Sequence, residues 1–266
     1  MKLQDCSALI TGASSGIGRE FARRLAPIAR TLVLVARRVE RLEELRNELL
    51  AHNPDLSVHI RPSDISDKTE VYALAESLTR EKIHIDLLIN NAGLGDLGTF
   101  ATSEPERIEQ IMLVNMVGLT LLTRMLLPSM IANGKGGILN VSSSAGFLPI
   151  AGFAVYAASK AYLTSFSEGL RAELRGSGVS VCALCPGPVN TEFTDVAYRN
   201  RHNPDRSSPE FAHVSAEKVA RVGLAAIEHD RALVVPGLIM KLAMFFVRIT
   251  PMAILRIASR VSARRA

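Results

Sequence analysis

The chain has no tryptophan and only three cysteines, and aromatic side chains make up 5% of its 266 residues. Three cysteines do not make a disulfide framework, so a small stapled secreted domain is excluded. Cys182 and Cys185 have a metal or redox spacing in "CALC", but they lie in the apolar run "VSVCALCPG". Residues three apart on a strand point to opposite faces, so the two sulfurs read as structural, and no metal is expected. No uninterrupted apolar run reaches the roughly 18 residues of a spanning helix. The opening "MKLQDCSALITGASSG" is strand-like almost from its start, and no signal peptide is read there. Internal repeats and low-complexity linkers are also missing, which points to one domain in the cytoplasm.

Acidic residues are missing from one end. After Asp230 there are seven basic residues (Arg231, Lys241, Arg248, Arg256, Arg260, Arg264 and Arg265) and no Asp or Glu. Of 31 Lys and Arg in the chain, 24 therefore remain in residues 1–230, against 26 Asp and Glu. The excess positive charge belongs to the tail, and nothing in the charge of the main body suggests a nucleic-acid partner.

Short apolar runs are plentiful: "CSALIT", "TLVLVA", "SVHIR", "IDLLIN", "GGILNVSS", "VSVCALC" and "ALVV". Runs of this length and composition read as buried parallel strands. Between them lie amphipathic stretches, with Val39, Leu42, Leu45 and Leu49 on one face of the second and Val71, Leu74 and Leu78 on one face of the third. This βαβα alternation predicts an α/β fold, a parallel sheet covered by helices on both faces.

Directly after the first strand comes "TGASSGIG", Thr11 to Gly18, running into "REFARRLA". Gly12, Gly16 and Gly18 let the backbone turn tightly and approach a pyrophosphate, which the amides at the new helix N-terminus then face. A second pattern is "YAASK", with Tyr156 and Lys160 one helical turn apart on one face. Alone, a Tyr-x3-Lys pair is expected about 0.1 times by chance at this composition, so it gains weight only in company. Its chemistry is plain. Free tyrosine, with a pKa near 10, is a poor base at neutral pH, and a neighbouring ammonium favours the phenolate. The end of the second strand adds "LVARR": Arg37 and Arg38 stand at a helix start whose dipole they oppose, which suggests some other benefit from the charge.

Together these motifs resemble the short-chain dehydrogenase/reductase family, in its compact single-domain branch. The resemblance runs through "TGASSGIG", Asp64 after strand three, "NNAG" at 90–93, Asn115, "NVSSSAG" at 140–146, "YAASK" and "PGPVNT" at 186–191, in the family's order over roughly residues 5–235. It implies a Rossmann-like doubly wound sheet of about seven strands over 1–237, followed by a helical tail over 238–266. It also implies NADP(H) as cofactor. Ser14, Ser15, Gly16, Ile17 and Gly18 would hold its phosphates, and Arg37 and Arg38 the 2′-phosphate. Asp64 and Ile65 would sit at adenine, with Asn91, Ala92 and Gly93 along the dinucleotide. Pro186, Gly187, Val189 and Thr191 would lie at the nicotinamide end.

The same resemblance assigns a tetrad: Asn115, ordering a water joined to the lysine; Ser143, thirteen residues before Tyr156, polarising the substrate oxygen; Tyr156 as acid/base; and Lys160. The activity implied is hydride transfer between nicotinamide and a carbonyl or secondary alcohol. A cofactor-sensing or scaffolding protein on the same fold is the alternative, disfavoured because the tetrad is whole. Phe147, Leu148, Ile150 and Phe153 make the substrate hydrophobic in this reading. The long polar interval Thr191 to Phe211 reads as a lid, whose Arg199, Arg201, His202 and Arg206 either meet an anionic group or face solvent. Pro251 separates two helices in the tail, and Arg256, Arg260 and Arg264 form a basic stripe on the second. Three roles stay open for the tail: peripheral membrane contact, a cap on the cleft, or subunit assembly. The resemblance also implies a dimer or tetramer through helices around Leu113–Ala132 and Tyr156–Gly176.

Overall fold

In the computed structural model, residues 1–197, 213–251 and 253–256 are described. Seven strands form one sheet, all neighbours parallel: β1 Ser7–Thr11, β2 Thr31–Ala36, β3 Ser57–Pro62, β4 Leu87–Asn90, β5 Gly136–Val141, β6 Val179–Leu184 and β7 Leu233–Val234. Their order is β3-β2-β1-β4-β5-β6-β7. Each of the seven expected strands is present.

The helices are α1 Gly16–Leu25, α2 Val39–His52, α3 Lys68–Arg80, α4 Pro105–Met112, α5 Leu119–Ala132, α6 Ala154–Glu173, α7 Glu192–Ala197, α8 Ala216–Glu228 and α9 Leu238–Ile249. Side chains alternate between the two faces of the sheet, and both faces are apolar. On β1 and β2, Ala8, Ile10, Leu32 and Leu34 join the core under α1, α2 and α8. Leu9, Val33 and Val35 join the other core, under α3, α5 and α6. This is why the strands read as continuous apolar runs rather than alternating ones. The order in which strands are added reverses between β1 and β4, and that switch point opens a crevice at the carboxyl edge of the parallel sheet.

Local signals set several boundaries. The Asp67 carboxylate caps α3 by accepting from the Thr69 and Glu70 amides, and the Ser215 hydroxyl caps α8. A helix runs without a break from Pro105 to Ala132 and is long and apolar enough by composition to cross a membrane, but it packs against α3, α6 and β5 as a flank of the domain. Its middle, Leu113–Gly118, widens into a π-turn. Such turns insert one residue into an α-helix and re-aim its neighbours, often at functional sites. The π-turn presses Gly118 against the loop after β3. A Cβ there would stand 2.0 Å from the Ile65 carbonyl oxygen, whereas one on exposed Gly169 in α6 would meet nothing.

The same substitution therefore has opposite effects at these two sites. Gly118→Ala should cost about 1–3 kcal/mol in denaturant unfolding through overpacking. Gly169→Ala should add about 0.5–1 kcal/mol through helix propensity.

Candidate active site

The crevice is bordered by the turn after β1, the loop after β4, the 3₁₀ turn Ser144–Phe147 after β5, the start of α6, and α7. Gly12 and Gly16 adopt positive φ, +67° and +52°, which lets the chain leave β1 and enter α1 directly. Ser15 is the N-cap of α1, yet its side chain makes no capping hydrogen bond, and the first turn holds no acidic residue. The amides of Gly16, Ile17 and Gly18 thus begin a helix whose first turn carries no acid of its own, although Glu192 stands beside the Ser15 side chain. Asn91 ties this turn to β4: its Nδ2 donates to the Thr11 carbonyl at 2.9 Å, and its amide donates to the Thr11 hydroxyl at 3.0 Å.

α6 carries Tyr156 and Lys160 on its inner face. Lys160 is buried, 4% exposed, and its Nζ donates to the Val141 carbonyl at the end of β5, at 2.9 Å. The same ammonium lies 5.7 Å from the centroid of the Tyr156 ring. Ser143 lies beside the Tyr156 phenol and favours its ionised form, an effect smaller than that of burial. The three neighbouring serines have separate duties. The Ser142 hydroxyl donates to the Lys160 carbonyl at 2.8 Å, the Ser144 amide donates to the Pro186 carbonyl at 2.8 Å, and the Ser143 hydroxyl accepts from the Ala145 amide at 3.1 Å.

Asn115 sits on the π-turn with no exposure. Its Oδ1 accepts from the Leu94 amide at 2.8 Å, and its Nδ2 donates to the Leu94 carbonyl and the Ser159 hydroxyl, both at 2.9 Å. Ser159 in turn donates to the Tyr156 carbonyl at 2.7 Å, so Asn115 joins the loop after β4 to the first turns of α6. A Cβ on Gly93 would lie 3.4 Å from Lys160 Nζ and 3.5 Å from Asn115 Oδ1. The missing side chain leaves these two polar groups facing one space.

Burial governs both ionisable groups. It pushes the Tyr156 phenol up to about 12, against a smaller lowering by Ser143, and it pushes the Lys160 ammonium down to about 8. In the protein alone, desolvation outweighs the lowering by Ser143, and the phenol holds its proton more tightly than a free tyrosine, contrary to the expectation of an acidified one.

At the far end of the crevice, Arg37 and Arg38 diverge. Arg37, with a side chain 66% exposed, reaches Asp64 at 3.4 Å. Arg38 turns inward: one nitrogen donates to the Ser14 hydroxyl at 3.2 Å and another pairs with Glu192 at 2.8 Å. Arg41 also meets Glu192, at 3.4 Å. Arg38 holds the Glu192 carboxyl below its usual range. Burial pushes Asp64 up, but hydrogen bonds from Ser66 and the Arg37 charge outweigh it and hold the carboxyl low. Ile65 is buried beside this turn.

Sequence reading missed three participants: Arg41, Glu192 and Phe193. Phe193 packs on the Tyr156 ring at 5.4 Å between centroids, opposite Phe153 at 4.4 Å, and lies against Gly95. Glu192 and Phe193 directly follow Thr191, whose methyl rests against Gly16, so α7 touches both ends of the crevice. Only their place in the interval after "PGPVNT" could have marked them. The rest of that interval, with Arg199, Arg201, His202 and Arg206, lies outside the described residues. Pro186, Gly187 and Val189 follow β6 beside the Ser144 turn, with Met240 of α9 against Gly187. Cys182 and Cys185 are free and buried, and burial raises both thiols, to about 12 and about 11.

The short chain dehydrogenase family model matches residues 7–202. The chain belongs to that family. It is 42% identical over 195 residues to the sulfoacetaldehyde reductase of Chromohalobacter salexigens, covering 72% of this chain and 75% of the relative. Among solved structures it is similar to a short-chain dehydrogenase from Sphingobium yanoikuyae in complex with NADPH, with TM-score 0.78, 33% identity and 88% of each chain covered. It is also similar to the bulky-bulky ketone specific alcohol dehydrogenase from Comamonas testosteroni, with TM-score 0.74, 30% identity, and 88% of this chain and 86% of the other covered.

The Asn115 network has a measurable cost. Asn115→Ala strands the part-buried Leu94 amide and carbonyl and removes a partner of the buried Ser159 hydroxyl, and should lose about 2–4 kcal/mol in denaturant unfolding. Asn115→Asp, which can still accept from the Leu94 amide, should lose less.

Proposed function

We propose that the protein is an NADP(H)-dependent oxidoreductase that reduces hydrophobic ketones, with Tyr156 as the proton donor. The observation that carries this reading is the buried Tyr156 phenol beside Ser143, one helical turn before a buried Lys160 that faces the open side of Gly93.

The residues present fit a dinucleotide. The uncapped start of α1, Gly12, Ser14 and Ser15 suit its phosphates, and the glycine face at Gly93, flanked by Asn91 and Ala92, suits its passage toward Lys160. Asp64 and Ile65 lie where adenine would rest, and Pro186, Gly187, Val189 and Thr191 border the nicotinamide end. Arg38 and Arg41, with Arg37 nearby, supply the charge for a 2′-phosphate, and the Sphingobium relative's complex with NADPH supports that choice. When bound, the cofactor supplies a hydride to the carbonyl carbon.

The protein's own task is the oxygen. Ser143 donates a hydrogen bond to the substrate oxygen, and Tyr156 gives it a proton. A phenol held near 12 by burial keeps its proton at neutral pH, which suits reduction. Lys160, with its charge intact below about 8, steadies the phenolate left behind, and Asn115 Oδ1 shares with it the space beside Gly93, where a bridging water fits this role. Phe147, Leu148, Ile150, Phe153 and Phe193 give the substrate side an apolar lining, in keeping with the Comamonas relative's bulky ketones. We take 1–237 as the catalytic unit and place it in the cytoplasm as a homo-oligomer paired through α5 and α6, where Met125, Ile131 and Tyr162 are exposed.

Tyr156→Phe should lower kcat for a bulky ketone by at least about a hundredfold while leaving the Kd for NADPH, read by fluorescence, within a few-fold. Residual turnover within tenfold of the parent would place the proton elsewhere. Arg38→Ala should weaken NADPH binding about 10–100-fold and NADH binding hardly at all, with a smaller effect from Arg37→Ala. kcat/KM for reduction should be flat through neutral pH and fall as pH rises through about 8, where Lys160 loses its charge. Lys160→Met should lower the rate and abolish that alkaline limb.

A further inference from the structure

α9 is an amphipathic helix facing the wrong way for a core helix. Leu238, Ile239, Leu242, Phe245, Phe246 and Ile249 are each between 51% and 72% exposed. Their spacing, i, i+1, i+4, i+7, i+8 and i+11, puts all six on one stripe. Only Met244, on the opposite side, is buried. That inner side rests on the catalytic unit, where Met240 meets Gly187 and the Arg248 guanidinium lies 5.8 Å from the centre of the Phe147 ring. The stripe is therefore the outer wall of the substrate end of the crevice.

The charge beside the stripe has one sign. Lys241 lines one edge of it, Arg248 stands at the same edge with its guanidinium turned inward onto Phe147, and Arg256 follows in the helical turn 253–256. The sequence beyond adds Arg260, Arg264 and Arg265, which lie outside the described residues, with no acid anywhere after Asp230. An isologous pairing of this face with its copy would set these basic residues beside one another without a compensating acid from the same segment. A contiguous large apolar stripe rimmed by cations matches instead an anionic lipid surface, into which such a stripe sinks while Lys and Arg meet the headgroups.

We infer that α9 is a membrane-surface helix, docking the protein on anionic bilayers through the Leu238–Ile249 apolar stripe with the crevice beside the lipid. The membrane-binding face is thus on the first tail helix rather than on the Arg256–Arg264 stripe of the second. Should the apolar substrate reading hold, a ketone dissolved in the bilayer would enter from that side. The docking itself does not depend on that reading.

The test uses the full chain without substrate, floated with phosphatidylcholine vesicles that contain or lack phosphatidylglycerol. The parent should float with the anionic vesicles and at least about tenfold less with the neutral ones, losing the association at high salt. The double variant Phe245→Glu, Phe246→Glu should lose flotation about tenfold or more, and Leu242→Glu should lose part of it. All should keep the parent's melting temperature and its turnover of a water-soluble ketone. A parent that does not float, floats equally with both vesicles, or floats undiminished after the double substitution would overturn the inference. So would light scattering that shows a parent dimer converted to monomer by the double variant, which would put a second copy on this face.

Discussion

Everything at the reactive end of the crevice depends on keeping a lysine ammonium out of water. Burying a charge costs several kcal/mol unless it is partnered, so the fold must bring a partner to it. It does so with the last carbonyl of β5, from Val141, accepting from Lys160 Nζ at 2.9 Å. The approach requires α6 to lie close over the end of the strand. Two contacts secure that: the Ser142 hydroxyl on the Lys160 carbonyl, and Gly146, whose Cβ would stand 2.8 Å from the Lys160 carbonyl carbon. With the lysine so fixed, helical geometry places Tyr156 one turn earlier, and the strand's continuation places Ser143 against the phenol. The tetrad is less four separate choices than one buried charge and the backbone needed to hold it.

The other end of the crevice is governed by exposed charge, and its geometry is looser. Arg38 and Arg41 share Glu192, which stands at the start of α7, immediately after Thr191. Exposed ion pairs of this kind contribute at most about 1 kcal/mol each and weaken with salt. A phosphate dianion would be a stronger partner for Arg38 than one carboxylate. The helix that brings Phe193 to Tyr156 is therefore tethered to the very residues suited to the 2′-phosphate.

Much of this was legible in the sequence because it rests on local pattern. The seven strands were apolar runs with both faces covered, and Leu42, Leu45 and Leu49 or Val71, Leu74 and Leu78 marked the buried helix faces by spacing alone. Ser143 could be separated from Ser142 and Ser144 by its distance along the chain from Tyr156. What stayed hidden is pairing across distance. Nothing local distinguishes Arg38, turned toward Ser14, from Arg37, turned toward Asp64, and nothing ties Glu192 to an arginine more than 150 positions away. The balance of forces on Tyr156 was hidden too. The lysine's proximity could be read from the sequence, but the depth of burial, which decides the phenol's affinity for its proton, belongs to the folded state.

The tail shows the same divide between composition and placement. Its basic charge and its Pro251 break were evident, and α9 does end just before that proline. Amphipathicity alone cannot say which way a helix faces, since an apolar stripe ordinarily turns inward. Here the inner side is occupied by Met240, Met244 and Arg248 against the crevice, so the stripe of six large side chains has only the outside left to it. A helix would gain more by rolling that stripe into the core if water were its only surroundings. On the membrane-docking inference, the inner contacts serve the crevice and the outer stripe is left for lipid.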